Sequence, residues 1–181
     1  MITHKQTQTE RKMDKHFKLT EETKVNEAGV TLHRIVATRD SRHAKAGQLG
    51  GFVEGTYNVI DEAWVADEAE VWGEARLYGY SYAGEQARIY EKASMHNLSR
   101  ADGESRVYGH SMLTESARVM DNAHVFGYTK LSGSVRIGRD AFVGHTKGYC
   151  SLLNLGRPNQ QTTAYPRRRS RCPPGRLLLR I

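Results

Sequence analysis

From Gly51 to Thr146 the chain repeats one six-residue pattern through sixteen units without an insertion or deletion: small, variable, apolar, variable, Gly or polar turn former, variable. Representative units are AWVADE from Ala63, AEVWGE from Ala69, ARLYGY from Ala75, SRVYGH from Ser105, ARVMDN from Ala117 and AHVFGY from Ala123. The third position runs Val53, Val59, Val65, Val71, Leu77, Ala83, Ile89, Met95, Ala101, Val107, Leu113, Val119, Val125, Leu131, Ile137, Val143, apolar every time. The first position is mostly Ala, Ser or Thr, with Tyr57 and Val135 among the exceptions, and the fifth is rich in Gly, Asp and Asn. Along a strand, alternate side chains point to opposite faces, so positions one and three turn inward and two and four outward. A strict period of six with a turn former in most units cannot hold one helical stripe, which excludes an α-helix.

Strands this short must turn after every unit. Three units close a triangle, so a coil uses eighteen residues and stacks on the next. The predicted fold is all-β: a single-stranded parallel β-helix, a triangular solenoid of about five 18-residue coils. Its height is on the order of 25 Å at ~4.8 Å per coil.

The repeat, with units such as Ile137-Gly138 and Val143-Gly144 in which Gly follows the aliphatic residue, resembles that of the hexapeptide-repeat proteins. The resemblance implies a left-handed parallel β-helix, an exception to the right-handed crossover rule, and a trimeric assembly. Most of the glycine-bearing units here depart from that form and carry the glycine one position later, as at Gly73, Gly79, Gly109, Gly127 and Gly133. Upstream, LHRIVATRD from Leu32 and AGQLGGFVE from Ala46 lead into the first coil. They look like the leader of an uncharacterised bacterial and phage-encoded group of transferase-like β-helix proteins. A cap is also expected physically, because an open first coil would expose unpaired strand edges. The expected organisation is a disordered lead-in over 1–16, with Met13 as an alternative start, an N-terminal β cap over 17–50, the β-helix over 51–146, and a basic Pro/Arg-rich, disordered tail over 147–181.

The net charge of +7 suggests nucleic acid until it is divided along the chain. Residues 1–50 carry +4, residues 51–146 carry −5 and residues 147–181 carry +8. The solenoid is mildly acidic, which argues against nucleic acid along its faces and leaves only the basic tail for polyanions. The two cysteines, Cys150 and Cys172, lie beyond the repeat and build neither a staple nor a metal cluster. No apolar run is long enough to span a bilayer and no apolar leader core follows Met1, so a cytoplasmic location is expected, the host cytoplasm for a phage-encoded member.

The period of eighteen turns sequence spacing into vertical columns. Trp72, Tyr90, Tyr108 and Phe126 share one outward slot, and two residues earlier lie Glu70, Arg88, Arg106 and His124. This combination reads as an aromatic ladder beside a cationic column. It fits packing between coils or subunits, and it also fits a cleft in which an anion meets Arg88 or Arg106 while its ring stacks on Tyr90 or Tyr108. The expected ligand site is Arg88, Tyr90, Arg106, Tyr108, His124, Phe126 and Trp72, at an inter-subunit face. A second column, Arg100, Arg118 and Arg136, preceded by Trp64 and Tyr82, is expected to pair with acids such as Asp102 and Asp121.

The resemblance also raises acyl transfer from an acyl-CoA with a histidine as general base. No loop interrupts the repeat to build an acceptor site, and His96, His110, His124 and His145 occupy ordinary outward or turn positions without an evident orienting acid. No phosphate loop, serine elbow or Cys/His metal pattern occurs, so no catalytic residue, cofactor or metal is assigned. The leading expectation is a non-catalytic, trimeric binding protein for a small anionic, nucleotide-like ligand, for instance a phage protein sequestering a host signal molecule. The alternatives are a hexapeptide acyltransferase and a structural or protein-interaction module.

Overall fold

The alternation of inward and outward positions is realised as a β-solenoid of about five turns. The computed structural model describes residues 15–146 and 149–152, of which 145, 146 and 149–152 by backbone alone. The expected lead-in before residue 15, the ring of His145, both cysteine side chains and nearly all of the basic tail lie outside the described residues. Strands eighteen residues apart pair in parallel and in register, as in Arg88↔Arg106, Arg106↔His124 and Tyr82↔Arg100. Three sheets result. Face I contains Leu49–Val53, Glu70–Val71, Arg88–Ile89, Arg106–Val107, His124–Gly127 and Phe142–Thr146. Face II runs from Arg76–Leu77 to Lys130–Leu131, and face III from Trp64–Val65 to Arg136–Ile137.

All sixteen third-position side chains are buried, from Val53 to Val143, and they form the core with the small first-position residues. The tight corner selects the small residue. At Tyr57, where the pattern breaks, a 3-10 turn over Thr56–Asn58 swings the ring outward to 43% exposure. Asn58 is buried in its place, and its amide donates to the Ala75 carbonyl at 2.9 Å.

Hydrogen bonds run between coils. The Trp64 and Ala66 N–H groups donate to the Ser81 and Ala83 carbonyls at 3.0 and 2.8 Å, and a backbone corner bond such as Ala69 N–H to the Ala66 carbonyl, 3.0 Å, closes many of the bends, while at Ser111 and Thr129 the side-chain hydroxyl donates across the corner. The fifth position is where the chain turns, and from Asp61 to Arg139 every fifth-position residue has positive φ. That explains why most of the glycine-bearing units carry their glycine one place later than the aliphatic-glycine form. Where Asp stands at the corner, its carboxylate can accept the N–H of the corner above. Asp61 takes Gly79 at 3.2 Å, Asp67 takes Glu85 at 3.1 Å, and Asp121 takes Arg139 at 2.6 Å.

The N-terminal segment covers the first coil. Strand β1 (Phe17–Val25) pairs antiparallel with β2 (Thr31–Ala37), and β2 pairs antiparallel with β3 (Leu49–Val53), extending face I at its N-terminal edge. At Gly50 a Cβ would stand 2.5 Å from the Val65 carbonyl oxygen and 2.7 Å from Ile35 and Trp64 side-chain atoms, so only glycine lets the chain pass there. Trp64, read as outward from its repeat position, is instead fully buried. His16 lies 6.0 Å from its ring with Nε2 2.9 Å from the Ala63 carbonyl oxygen, and Phe17, Ile35 and Ala44 belong to the same cluster. The β2–β3 loop crosses face III, where His43 lies 5.3 Å from the Tyr82 ring and its Nε2 is 3.0 Å from the Tyr80 carbonyl oxygen.

Two outcomes are expected. A left-handed backbone costs a non-glycine residue about 1–2 kcal/mol, and a Cβ at Gly103 (φ +70) would stand 2.7 Å from Asp121 backbone atoms. Gly103→Ala should therefore lower unfolding stability by roughly 1–3 kcal/mol, whereas Glu115→Gly, at exposed φ 61, should raise it by up to about 1 kcal/mol. Denaturant titration checks both signs. Burial, above all, pushes the imidazoles of His16 and His43 below their ordinary value. The unfolded chain then binds protons that the folded chain resists, so stability is complete above about pH 6.5 and falls as the solution is acidified through and below that value. His16→Gln should flatten that decline in urea melts recorded between neutral and acidic pH.

Candidate functional site

Parallel in-register pairing places each outward side chain directly over the one eighteen residues earlier. On face I this stacks Trp72 on Tyr90 (ring centroids 4.6 Å, 5° between planes), Tyr90 on Tyr108 (5.0 Å, 3°) and Tyr108 on Phe126 (5.5 Å, 15°). The ladder ends against Gly144, where a Cβ would stand 2.3 Å from Phe126 ring atoms. Burial raises the phenol pKa of both Tyr90 and Tyr108. The ring faces are consumed by each other. A ligand ring needs close to twice the observed separation to slip between Tyr90 and Tyr108, so only the outer edges of the ladder are open to one.

The cationic column beside the ladder divides into two parts. The β1–β2 hairpin curls up over face I. Lys24 sits 4.0 Å over the Phe52 ring and 3.0 Å from Glu70, and Glu27 in the hairpin turn holds Arg88 through two hydrogen bonds of 2.7 and 3.1 Å. That paired geometry holds the Glu27 carboxyl below the ordinary carboxylate range and raises the Arg88 guanidinium. One coil further on, Arg106 has neither a side-chain hydrogen bond nor an ion pair among the described residues, although it is half-buried next to Tyr108. His124 follows, edge-on to Tyr108 at 6.2 Å and stacked on Phe142 at 4.4 Å. Burial, and then the neighbouring Arg106, lower its pKa.

The structure thus brings together all seven residues singled out from the sequence, and it adds Glu27 and Phe142. Phe142 stands eighteen residues after His124 and was legible from the period. Glu27 was not, because it lies outside the repeat.

Two further histidines of the repeat are also stacked: His96 on Tyr78 (4.6 Å, 7°) and His110 on Tyr128 (4.6 Å, 4°). No carboxylate hydrogen-bonds to the rings of His96, His110 or His124 among the described residues. No group of three or more His, Cys, Asp or Glu side chains there is placed to hold a metal. A shallow groove at the corner of faces I and II has mixed charge: Glu54, Glu74 and Glu91 line it together with Arg76 and Lys92, and Lys92 pairs with Glu74 at 3.4 Å. No helix is long and apolar enough to cross a membrane among the described residues.

On face III, Arg100 pairs with Asp102 at 2.5 Å, as expected, and lies 4.2 Å over the Tyr82 ring. The pairing expected from Asp121 is not made, since that carboxylate caps the Arg139 N–H instead. Fold and site together define a β-solenoid with an aromatic ladder and a cationic column on one face. No protein-family model matches the chain and no curated protein matches it.

If the Glu27–Arg88 pair fastens the hairpin, Glu27→Gln should speed hydrogen exchange at the turn amides of Asn26 and Gly29 and leave core amides such as Val107 unchanged. Equal exchange in both proteins would show that the strands alone hold the hairpin.

Proposed function

We propose that this chain is a non-catalytic binding protein of the hexapeptide-repeat kind, assembled as a homotrimer, that holds a small anionic, nucleotide-like ligand on face I at a surface between subunits. The observation that carries the reading is the state of Arg106. Arg106 is half-buried with no hydrogen-bonded or ion-paired acid among the described residues, while the carboxylate nearest in the hairpin turn, Glu27, is engaged by Arg88 one coil below. An anionic ligand would supply the missing partner through charge-assisted hydrogen bonds. His124 stands on the far side as a second donor, neutral at physiological pH and so able to accept as well.

The stacked ladder changes where the ligand's ring lies. It packs against the exposed edges of Tyr108 and Phe126 and the facing subunit, with no insertion between the rings. Trp72 and Tyr90 then act as a rigid base that keeps Tyr108 from moving. A non-catalytic site suits sequestration, in which a ligand is removed from solution by affinity alone.

Calorimetric titration with nucleotides and acyl-CoA, together with light scattering for the assembly, tests the reading. Wild type should bind at least one nucleotide, and Arg106→Ala should weaken that binding by about tenfold or more, given the strength of charge-assisted bonds. No nucleotide binding, or equal binding by the variant, overturns the site. A monomeric mass overturns the inter-subunit placement, and release of free thiol from acyl-CoA overturns the non-catalytic assignment.

A further inference from the structure

Face III changes character from one end of the solenoid to the other. Its second-position column reads Trp64, Tyr82, Arg100, Arg118, Arg136, each in register with the next. The first two members are covered by the N-terminal segment and the third is neutralised by Asp102. Arg118 and Arg136 are exposed, stand directly side by side on adjacent strands, and have no carboxylate partner among the described residues.

The row along each strand deepens the contrast. Outward neighbours two residues away are Ser116 and Met120 for Arg118, and Ser134 and Gly138 for Arg136. No acid stands at these places, whereas Asp102 occupies the corresponding place beside Arg100. The carboxylates of the following corner are engaged elsewhere: Asp121 accepts the Arg139 N–H at 2.6 Å, and Asp140 accepts the Asn122 amide at 3.1 Å. Like charges side by side on neighbouring strands about 4.8 Å apart repel each other. An oxyanion carrying two or more charges and spanning both would reverse the sign of that interaction, since each planar fork presents paired N–H groups and the serines add hydroxyl donors.

We propose that Arg118 and Arg136, flanked by Ser116 and Ser134, form a second anion site that takes the phosphoryl group of a small molecule. It lies on a different face from Arg106 and does not depend on the reading given for that residue. Two arginines on a solenoid of net charge −5 are too few phosphate contacts to track a nucleic-acid backbone, which favours a small ligand.

The test is calorimetric titration of pyrophosphate into the full chain, in low-salt buffer, with wild type, Arg118→Ala/Arg136→Ala, Lys130→Ala and Arg106→Ala. The double variant should lose about tenfold or more in affinity, the scale of two charge-assisted contacts. Lys130→Ala removes the same charge from face II, and both it and Arg106→Ala should retain this binding. Equal affinity in the double variant overturns the proposal, as does binding of a single-stranded oligonucleotide without binding of pyrophosphate. Thermal unfolding supplies the second readout. Without anion, the double variant should melt no lower than wild type because a repulsion has been removed. A clear drop in its melting temperature would instead make the arginines structural and overturn the site.

Discussion

Every feature of this molecule depends on the hydrogen-bond ladder between coils, which sets each strand about 4.8 Å above the one eighteen residues earlier. The spacing is imposed by backbone geometry and is indifferent to the side chains it carries upward. Inside, it layers Val71, Ile89, Val107, Val125 and Val143 into a continuous core. Outside, it forces whatever stands in a given slot into contact with its counterparts above and below. Planar rings gain from this: Trp72 through Phe126 stack in sequence, and so do the pairs Tyr78 with His96 and His110 with Tyr128. Like charges do not gain, and each arginine column needs a remedy.

The remedies differ by position, and the candidate sites follow from that difference. Arg88 receives Glu27 from the hairpin, and Arg100 receives Asp102 from its own strand together with the Tyr82 ring. Arg106, Arg118 and Arg136 receive none among the described residues. The N-terminal segment acts only as far as it reaches: β1 and β2 curl over face I to Arg88, and the β2–β3 loop crosses face III to Tyr82. Beyond those limits the solenoid's C-terminal half presents unpaired arginines on two faces among the described residues, which is where ligand binding is proposed. His96, His110 and His124 are held by ring stacking, an interaction that fixes a plane without polarising a nitrogen.

The corners show how local chemistry serves the same ladder. From Asp61 to Arg139 each fifth position is left-handed, and glycine meets the requirement without strain. Asp61, Asp67 and Asp121 meet it at some backbone cost while their carboxylates cap an N–H in the coil above. Glycine and aspartate both recur at the corners because they solve one geometric problem in two ways.

The sequence by itself determined the solenoid, its eighteen-residue coil, its core and its vertical columns, because a strict period of six combined with strand alternation admits one arrangement of inward and outward side chains. The seven residues of the face I column were legible for that reason, and so were the slots of Phe142 and of the stacked histidines. Only the tertiary structure decided what covers those columns. Trp64 occupies an outward slot yet is buried, since His16, Phe17 and Ile35 belong to a segment with no period to count from. Glu27 reaches Arg88 across sixty-one residues for the same reason, and Asp121 turns to a backbone N–H although its spacing suggested an arginine. On face I, which arginine is paired is set by a contact between the repeat and a segment outside it, and periodicity carries no information about that contact.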